Sequence, residues 1–220
     1  QPNYDAAGRV HTFCHAVRDS WHVMGVTQGA GLSLQWFRTQ LAPASNYDSL
    51  MEEASAAPAG SQGLFWLPYL MGERTPHLDA NVRGGWVGLT AKHTRADLIR
   101  ALIEGVCYSQ KDCLDLVEKL GGSVDSVRVS GGGARSAFWR QTLASVLGKR
   151  VVSLETQEGS AYGAALLALA GTGGCDDIRK ICGGAIHEIS AVEPDPSEAA
   201  LYTEGHKRYQ ALYPALRDWF

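Results

Sequence analysis

Nowhere do apolar residues run for the roughly 20 positions that a helix needs to cross a bilayer. The first residues also lack a charged leader followed by an apolar block, the pattern of a secretory signal. A membrane span is therefore not expected, and a cytoplasmic protein is. Charge of one sign is equally scarce in runs: 20 Lys and Arg stand against 23 Asp and Glu, for a net charge of −3. Nucleic acids and anionic membranes both select clustered positive charge, so neither is an expected partner and small molecules are favoured. The five cysteines, Cys14, Cys107, Cys113, Cys175 and Cys182, are odd in number and contain no C-x-x-C pair. That argues against a disulfide framework and a zinc site and for reduced, mostly buried thiols. In "HTFCH", strand alternation puts His11, Phe13 and His15 on one side and Cys14 on the other, so these ligands diverge and no metal site is expected.

What is present is an ordinary globular composition, 45% hydrophobic over 220 residues, enough for one large domain or two small ones with a sizeable core. The chain starts at Gln1 rather than Met, which points to a piece of something longer. Strands are expected at residues 11–16 and 22–27 around the polar turn Arg18-Asp19-Ser20. Gly29-Ala30-Gly31 then opens a helix through Leu32, Trp36 and Leu41, and a second helix covers 46–56. After a loop at 58–62, short strands are expected at 64–67 and 86–89. Between them, 71–85 is polar, rich in Gly, Pro, Arg and Asp, and too long for a simple turn, which makes it a candidate functional loop.

Thr94 with Asp97 resembles a capping box, and Leu98, Leu102, Val106, Leu114 and Val117 keep one apolar stripe until Gly121-Gly122. Strand 127–130, helix 137–147, strand 151–154 and the alanine-rich helix 160–170 then alternate as β-α-β-α, the pattern of a sheet covered by helices. "GTGG" at 171–174 follows a helix and reads as a cap and loop rather than a phosphate cradle. Residues 197–220 form a long amphipathic helix with Leu201, Tyr202, Tyr209, Leu212 and Leu216 packed back on the body. Its aromatics, Tyr213 and Trp219 included, leave a homodimer interface open.

The stretch "RVSGGGARSAFWRQTLASVLG" passes from a β-branched segment through three glycines into a helix. Residues without Cβ let a ligand reach the backbone, and helix N-termini favour anions. Yet the spacing matches neither the Walker A loop nor the G-x-G-x-x-G fingerprint, so a tight turn and a ligand ledge both remain open on spacing alone. In "MGERTPHLDANVRGG", Arg74 could hold a phosphate in a bidentate fork and Glu73 or Asp79 could position a magnesium-bound water. The plainer alternative is an interface loop closed by a Glu-Arg pair and braced by Pro76.

Together, "RVSGGGARSAFWRQTLASVLGKRVVSLETQEGSAYGAALLALAG" and "LPYLMGERTPHLDANVRGGWVGLTAKHTRADLIRALIEGVCYS" resemble the C-terminal domain of the FGGY carbohydrate kinases, and within them the xylulokinase branch. The resemblance runs from His11 to the final helix. It implies a ribonuclease-H-like (actin-like ATPase) α/β domain, with a mixed sheet, helices on both faces and a C-terminal helix. Residues 1–220 would then be the second domain of a sugar kinase whose N-terminal, sugar-binding domain is absent from this chain. The implied reaction is phosphorylation of D-xylulose to D-xylulose 5-phosphate, with ATP and Mg2+ as cofactors and the N-terminal domain, ATP and a ketopentose as partners. Ribulose, gluconate or glycerol kinases of the same family are alternatives, as is a non-catalytic nucleotide-binding or interaction module.

The resemblance places ATP contacts at Gly31, Gln35, Gly132, Gly133 and Ser136, beside the adenosine and α-phosphate, and makes Gly163, Ala164 and Ala165 sites of close helix-to-sheet packing. It puts the family's catalytic aspartate and outer-phosphate turn before Gln1, so no catalytic residue is expected in this chain. The fragment alone is expected to be inactive.

Overall fold

The computed structural model describes residues 3–156, 159–172 and 178–220. It begins with an antiparallel hairpin, β1 (His11–Cys14) and β2 (Trp21–Met24), with His11 opposite Met24. The first strand ends sooner than expected. His15 already lies in the turn, where its Nδ1 accepts the Val17 amide, because a chain that reverses within a few residues must satisfy its amides locally. The thiols are also less hidden than expected. Of the four described cysteines only Cys107 is buried, and Cys14 is exposed; Cys175 lies outside the described residues.

Helices α1 (Ala30–Leu41) and α2 (Tyr47–Ala56) follow. Asn46 starts α2 by accepting the Ser49 amide on Oδ1 at 2.8 Å, the usual remedy for an orphan helix N–H. A short antiparallel pair comes next, β3 (Phe65–Leu67) and β4 (Gly85–Val87). It brings Trp66 and Trp86 to a ring separation of 4.4 Å, and Trp36 of α1 stacks on Trp66 at 5.7 Å.

Helix α3 (Arg95–Lys119) is the spine of the molecule. Thr94 and Asp97 form the expected capping box, and Gly121, with φ of 87°, ends it. The expected apolar stripe understates its burial. Every residue from Ile99 to Ser109 is buried, because α1, α2, β3, α4 and α7 all pack against it. That burial forces α3 to satisfy its charges internally: Arg100 donates to Glu104 and to the Tyr202 hydroxyl, and His206 meets Asp112 at 2.9 Å.

The second half is β5 (Ser126–Val129), α4 (Ala137–Leu147), β6 (Arg150–Leu154), α5 (Gly159–Gly171), α6 (Ile178–Ala185), β7 (Glu188–Val192) and α7 (Ala199–Leu216). β5 runs parallel to β6, and β7 pairs antiparallel on the other edge of β6, so the chain is a mixed α/β fold with a mixed three-stranded sheet. Sequence reasoning did not anticipate α6 or β7. β7 is exposed at four of its five positions and so carries no inward-outward alternation to read. The expected close packing at Gly163, Ala164 and Ala165 is not formed among the described residues. A Cβ on Gly163 would meet nothing within 4 Å, Ala164 and Ala165 are exposed, and Leu166 is the one buried residue of α5, which packs chiefly on α6. Of the "GTGG" stretch, 171–172 close α5, while 173–174 lie outside the described residues. None of the described helices is long and apolar enough to cross a membrane.

The C-terminal helix does pack on the body. Tyr202 and Tyr209 are 1% exposed and Tyr213 stacks on His77 at 3.7 Å, whereas Trp219 stays 85% exposed. Core packing thus takes up three of the four aromatics that sequence alone left free for an interface.

A candidate nucleotide groove

The three glycines after β5 differ in why they are glycine. Gly131 has φ of 81° and ψ of −169°, a conformation essentially closed to residues with a Cβ. A Cβ on Gly133 would lie 3.4 Å from the ring of buried Trp139, an ordinary contact. At Gly132 the φ is not positive and a Cβ would meet nothing within 4 Å. Local hydrogen bonds define the turn. Gly132–Arg135 form a 3-10 turn, Arg140 donates to the Ala134 carbonyl, and the Ser136 hydroxyl accepts the Trp139 amide at 3.2 Å to start α4. The amides of Gly132 and Gly133, first in that turn, have no carbonyl within it to bond.

Opposite lies the first turn of α1. Gly31 likewise has a Cβ direction that meets nothing within 4 Å, although glycine inside a helix costs about 1 kcal/mol relative to alanine. Between the two segments runs a groove of about 600 Å3 whose walls include all five residues singled out from sequence: Gly31, Gln35, Gly132, Gly133 and Ser136. Residues about 100 positions apart in the chain therefore share one concavity. A smaller hollow of about 200 Å3 shares Gly31, Gly132, Gly133 and Trp139 and extends to Gln110 and Arg140.

Sequence reasoning missed the far wall of the groove, which is Asn46, Tyr47 and Asp48 at the start of α2, with Met51 below. The Tyr47 ring is 44% exposed and Arg38 lies over it at 5.0 Å. Nothing local in the sequence ties α2 to a glycine turn some 85 residues on. Only Trp139, in the W-R-Q continuation of the turn, had a signal that could have found it.

The start of α1 is set from outside the helix. Gly29, its N-cap, has no side chain to cap it, and a Cβ there would drive into the Pro68 carbonyl. Ser33 donates to the Gly29 carbonyl and accepts the indole N–H of Trp66. Gly29→Ala is expected to lower stability by about 2 kcal/mol through overpacking, read as a Tm drop of about 5 °C; an unchanged Tm would show that this contact yields freely.

The structure divides the two residues expected in a cleft loop. Arg74 projects into solvent and meets His11 Nε2 at 2.9 Å, whereas Glu73 is turned inward and only 3% exposed. No Glu73–Arg74 pair closes the loop. Backbone bonds between Glu73 and Asp79 close it instead, Asp79 accepts the Tyr213 hydroxyl, and His77 bonds the Tyr69 hydroxyl. Burial pushes the Glu73 carboxyl up to about 7, against the lowering effect of the Arg74 and Gln28 amides. Among the described residues no three His, Cys, Asp or Glu side chains converge on a common point.

A family profile described as "FGGY family of carbohydrate kinases, C-terminal domain" matches residues 2–172. The xylulose kinase of Bacillus subtilis is 37% identical over 214 residues, covering 97% of this chain and 43% of that protein. The gluconokinase of the same organism is 36% identical over 193 residues, covering 82% of this chain and 37% of its own. Among solved structures, ligand-bound xylulose kinase from Lactobacillus acidophilus superposes with a TM-score of 0.90 at 31% identity, over 99% of this chain and 44% of that one. The chain thus spans less than half the length of the curated relatives it matches.

Proposed function

This chain belongs to the FGGY family of carbohydrate kinases, with the actin-like ATPase fold of its structural neighbours, and on that footing we propose that it forms the nucleotide-binding, C-terminal domain of an ATP-dependent sugar kinase. The reaction we assign to the whole protein is phosphorylation of D-xylulose to D-xylulose 5-phosphate in the cytoplasm, the N-terminal domain supplying the sugar site. One observation carries the reading: Gly31 and Gly132 face a common groove with no folding reason to lack a side chain. A bound ligand that approaches the backbone on both sides supplies the missing reason.

In this reading the Gly132 and Gly133 amides and the polar Gln35 and Ser136 side chains hold the adenosine end of ATP. Ser136 Oγ already accepts the Trp139 amide, which leaves its proton free to donate to the base. Magnesium, when bound, would supply charge neutralisation on the transferring phosphoryl group, and none of the described residues of this chain is assigned to hold it. Phosphoryl transfer depends on positioning and on a carboxylate that accepts the sugar hydroxyl proton. We place that carboxylate, and the outer-phosphate turn, outside these 220 residues.

The gluconokinase relatives support a second reading, the same chemistry on gluconate. A coupled ATPase assay of the full-length protein with D-xylulose, D-ribulose, gluconate and glycerol separates the two. The expected result is a kcat/KM for D-xylulose at least about tenfold above the rest, about 1.4 kcal/mol of discrimination. No turnover of D-xylulose, or equal turnover of all four, rejects the assignment.

A further inference from the structure

Glu73 holds a buried carboxyl whose two oxygens do different things. Oε1 accepts the backbone amides of Gln28 at 2.9 Å and Arg74 at 2.8 Å, while Oε2 is buried and has no hydrogen-bond partner. Gln28 is the last residue before the Gly29–Gly31 turn that starts α1. Two residues beyond Glu73, Thr75 grips the same approach: its amide bonds the Val26 carbonyl, its hydroxyl accepts the Val26 amide, and that hydroxyl donates to Arg9. Gly29 is wedged against Pro68 from the other side. Because α1 has no side-chain N-cap, these tertiary contacts decide where its first turn, and therefore Gly31 and Gln35, sits.

A carboxyl is a poor choice for a purely structural clamp. A glutamine would offer the same acceptor without a titrating charge, although its amide nitrogen would find no more of a partner than Oε2 does. From this geometry we infer that Glu73 is a positioning residue for the nucleotide groove, acting through the Gln28 amide on α1 and touching no ligand itself. The inference rests on the nucleotide reading of the groove.

Ionisation strengthens the two amide bonds, but burial opposes it more strongly and holds the carboxyl up at about 7, so the fold favours the protonated form and the clamp loosens as pH rises toward that value. Its surroundings set that change near neutrality. Burial is the largest influence, and the negative Asp112 of α3 adds to it. Cys113 of the same helix, Tyr69 beyond β3 and Tyr209 of α7 also lie within its field, and burial keeps all three protonated. Asp112 is itself engaged by His206 and Gln210 of α7, and Arg74 points away to His11.

The test uses the full-length protein with Glu73→Gln, which keeps the acceptor and the volume. The ratio of KM for ATP, variant over wild type, is expected near one at pH 6 and about one-fifth at pH 8, where wild-type Glu73 has lost its proton and glutamine has none to lose, with kcat within about twofold at both. Comparing the two proteins at each pH removes the titration of ATP itself. In parallel, hydrogen exchange across residues 26–35 without nucleotide is expected to be about fivefold slower in the variant than in wild type at pH 8 and closer to wild type at pH 6. Glu73→Leu, which removes the acceptor, should speed that exchange at both values.

A KM ratio that stays at one, while Gly132→Asp still weakens ATP binding, overturns the inference. Unchanged exchange at 26–35 overturns it also, whatever the kinetics. If exchange responds as expected but Gly132→Asp leaves nucleotide binding intact, the nucleotide reading of the groove has failed, and the role given to Glu73 falls with it.

Discussion

Gly132→Asp is expected to weaken ATP binding about fiftyfold, some 2.3 kcal/mol, while leaving Tm within about 2 °C of wild type. The expectation comes from the empty space around that position: a Cβ at 132 meets nothing within 4 Å and the backbone is not left-handed, so the fold tolerates a side chain there. The aspartate then lies in the groove, occupying ligand volume and opposing phosphate with its charge. Gly131→Ala is the contrast. With φ of 81°, that site strains the turn whether or not nucleotide is bound, so stability should fall along with binding. Isothermal titration with ATP alongside thermal melts distinguishes the two. Full ATP affinity in Gly132→Asp would remove the glycine turn from the site.

The second large effect is expected at Arg100. Its guanidinium is 8% exposed, donates to Glu104, the Ala57 carbonyl and the Tyr202 hydroxyl, and lies 3.7 Å from Glu198. Glu104 is buried with it and also accepts from the Gly60 amide, Ser61 and Tyr202. One ionic pair thus ties α3 to the loop after α2 and to α7.

Breaking a buried pair from one side leaves an uncompensated charge and typically costs 3–5 kcal/mol. Arg100→Leu should lose about 4 kcal/mol at pH 8 in urea unfolding. Burial already pushes the Glu104 carboxyl upward, and Arg100 opposes it, so removing Arg100 raises it further. A carboxyl whose folded pKa exceeds its unfolded one contributes stability at low pH and loses it as pH rises. The loss should therefore shrink toward pH 5. Adding Glu104→Leu should restore most of the stability, since no charge is then left buried. A loss under about 1 kcal/mol in Arg100→Leu alone would show that water reaches Glu104.

Much of this was legible locally. The Thr94–Asp97 cap, the Asn46 start of α2 and the Gly121 stop of α3 are written in neighbouring residues, and the structure reproduces them within a residue or two. The glycine turn was legible as a strand-to-helix junction, but spacing could not say which of its glycines serves the backbone and which the groove. The loop at 71–85 was recognisable as unusual, yet its charges did not behave as a list of charged residues suggests: Glu73 went inward, Asp79 went to Tyr213, and Arg74 and Arg83 stayed out.

By itself the sequence determined where most elements start and stop, α6, β7 and the end of β1 excepted, and, through the combination of "GERTPH" and "GGGARS", the family. Those are short-range matters, set by caps, turns and periodicity within a few residues. Only the tertiary structure decided that Gly31 and Gly132 face one groove, that α2 supplies its far wall, that α3 is buried nearly all round and so must pair Arg100 with Glu104, and that Glu73 braces α1. Each depends on the distance between residues tens of positions apart, which packing settles and periodicity does not encode.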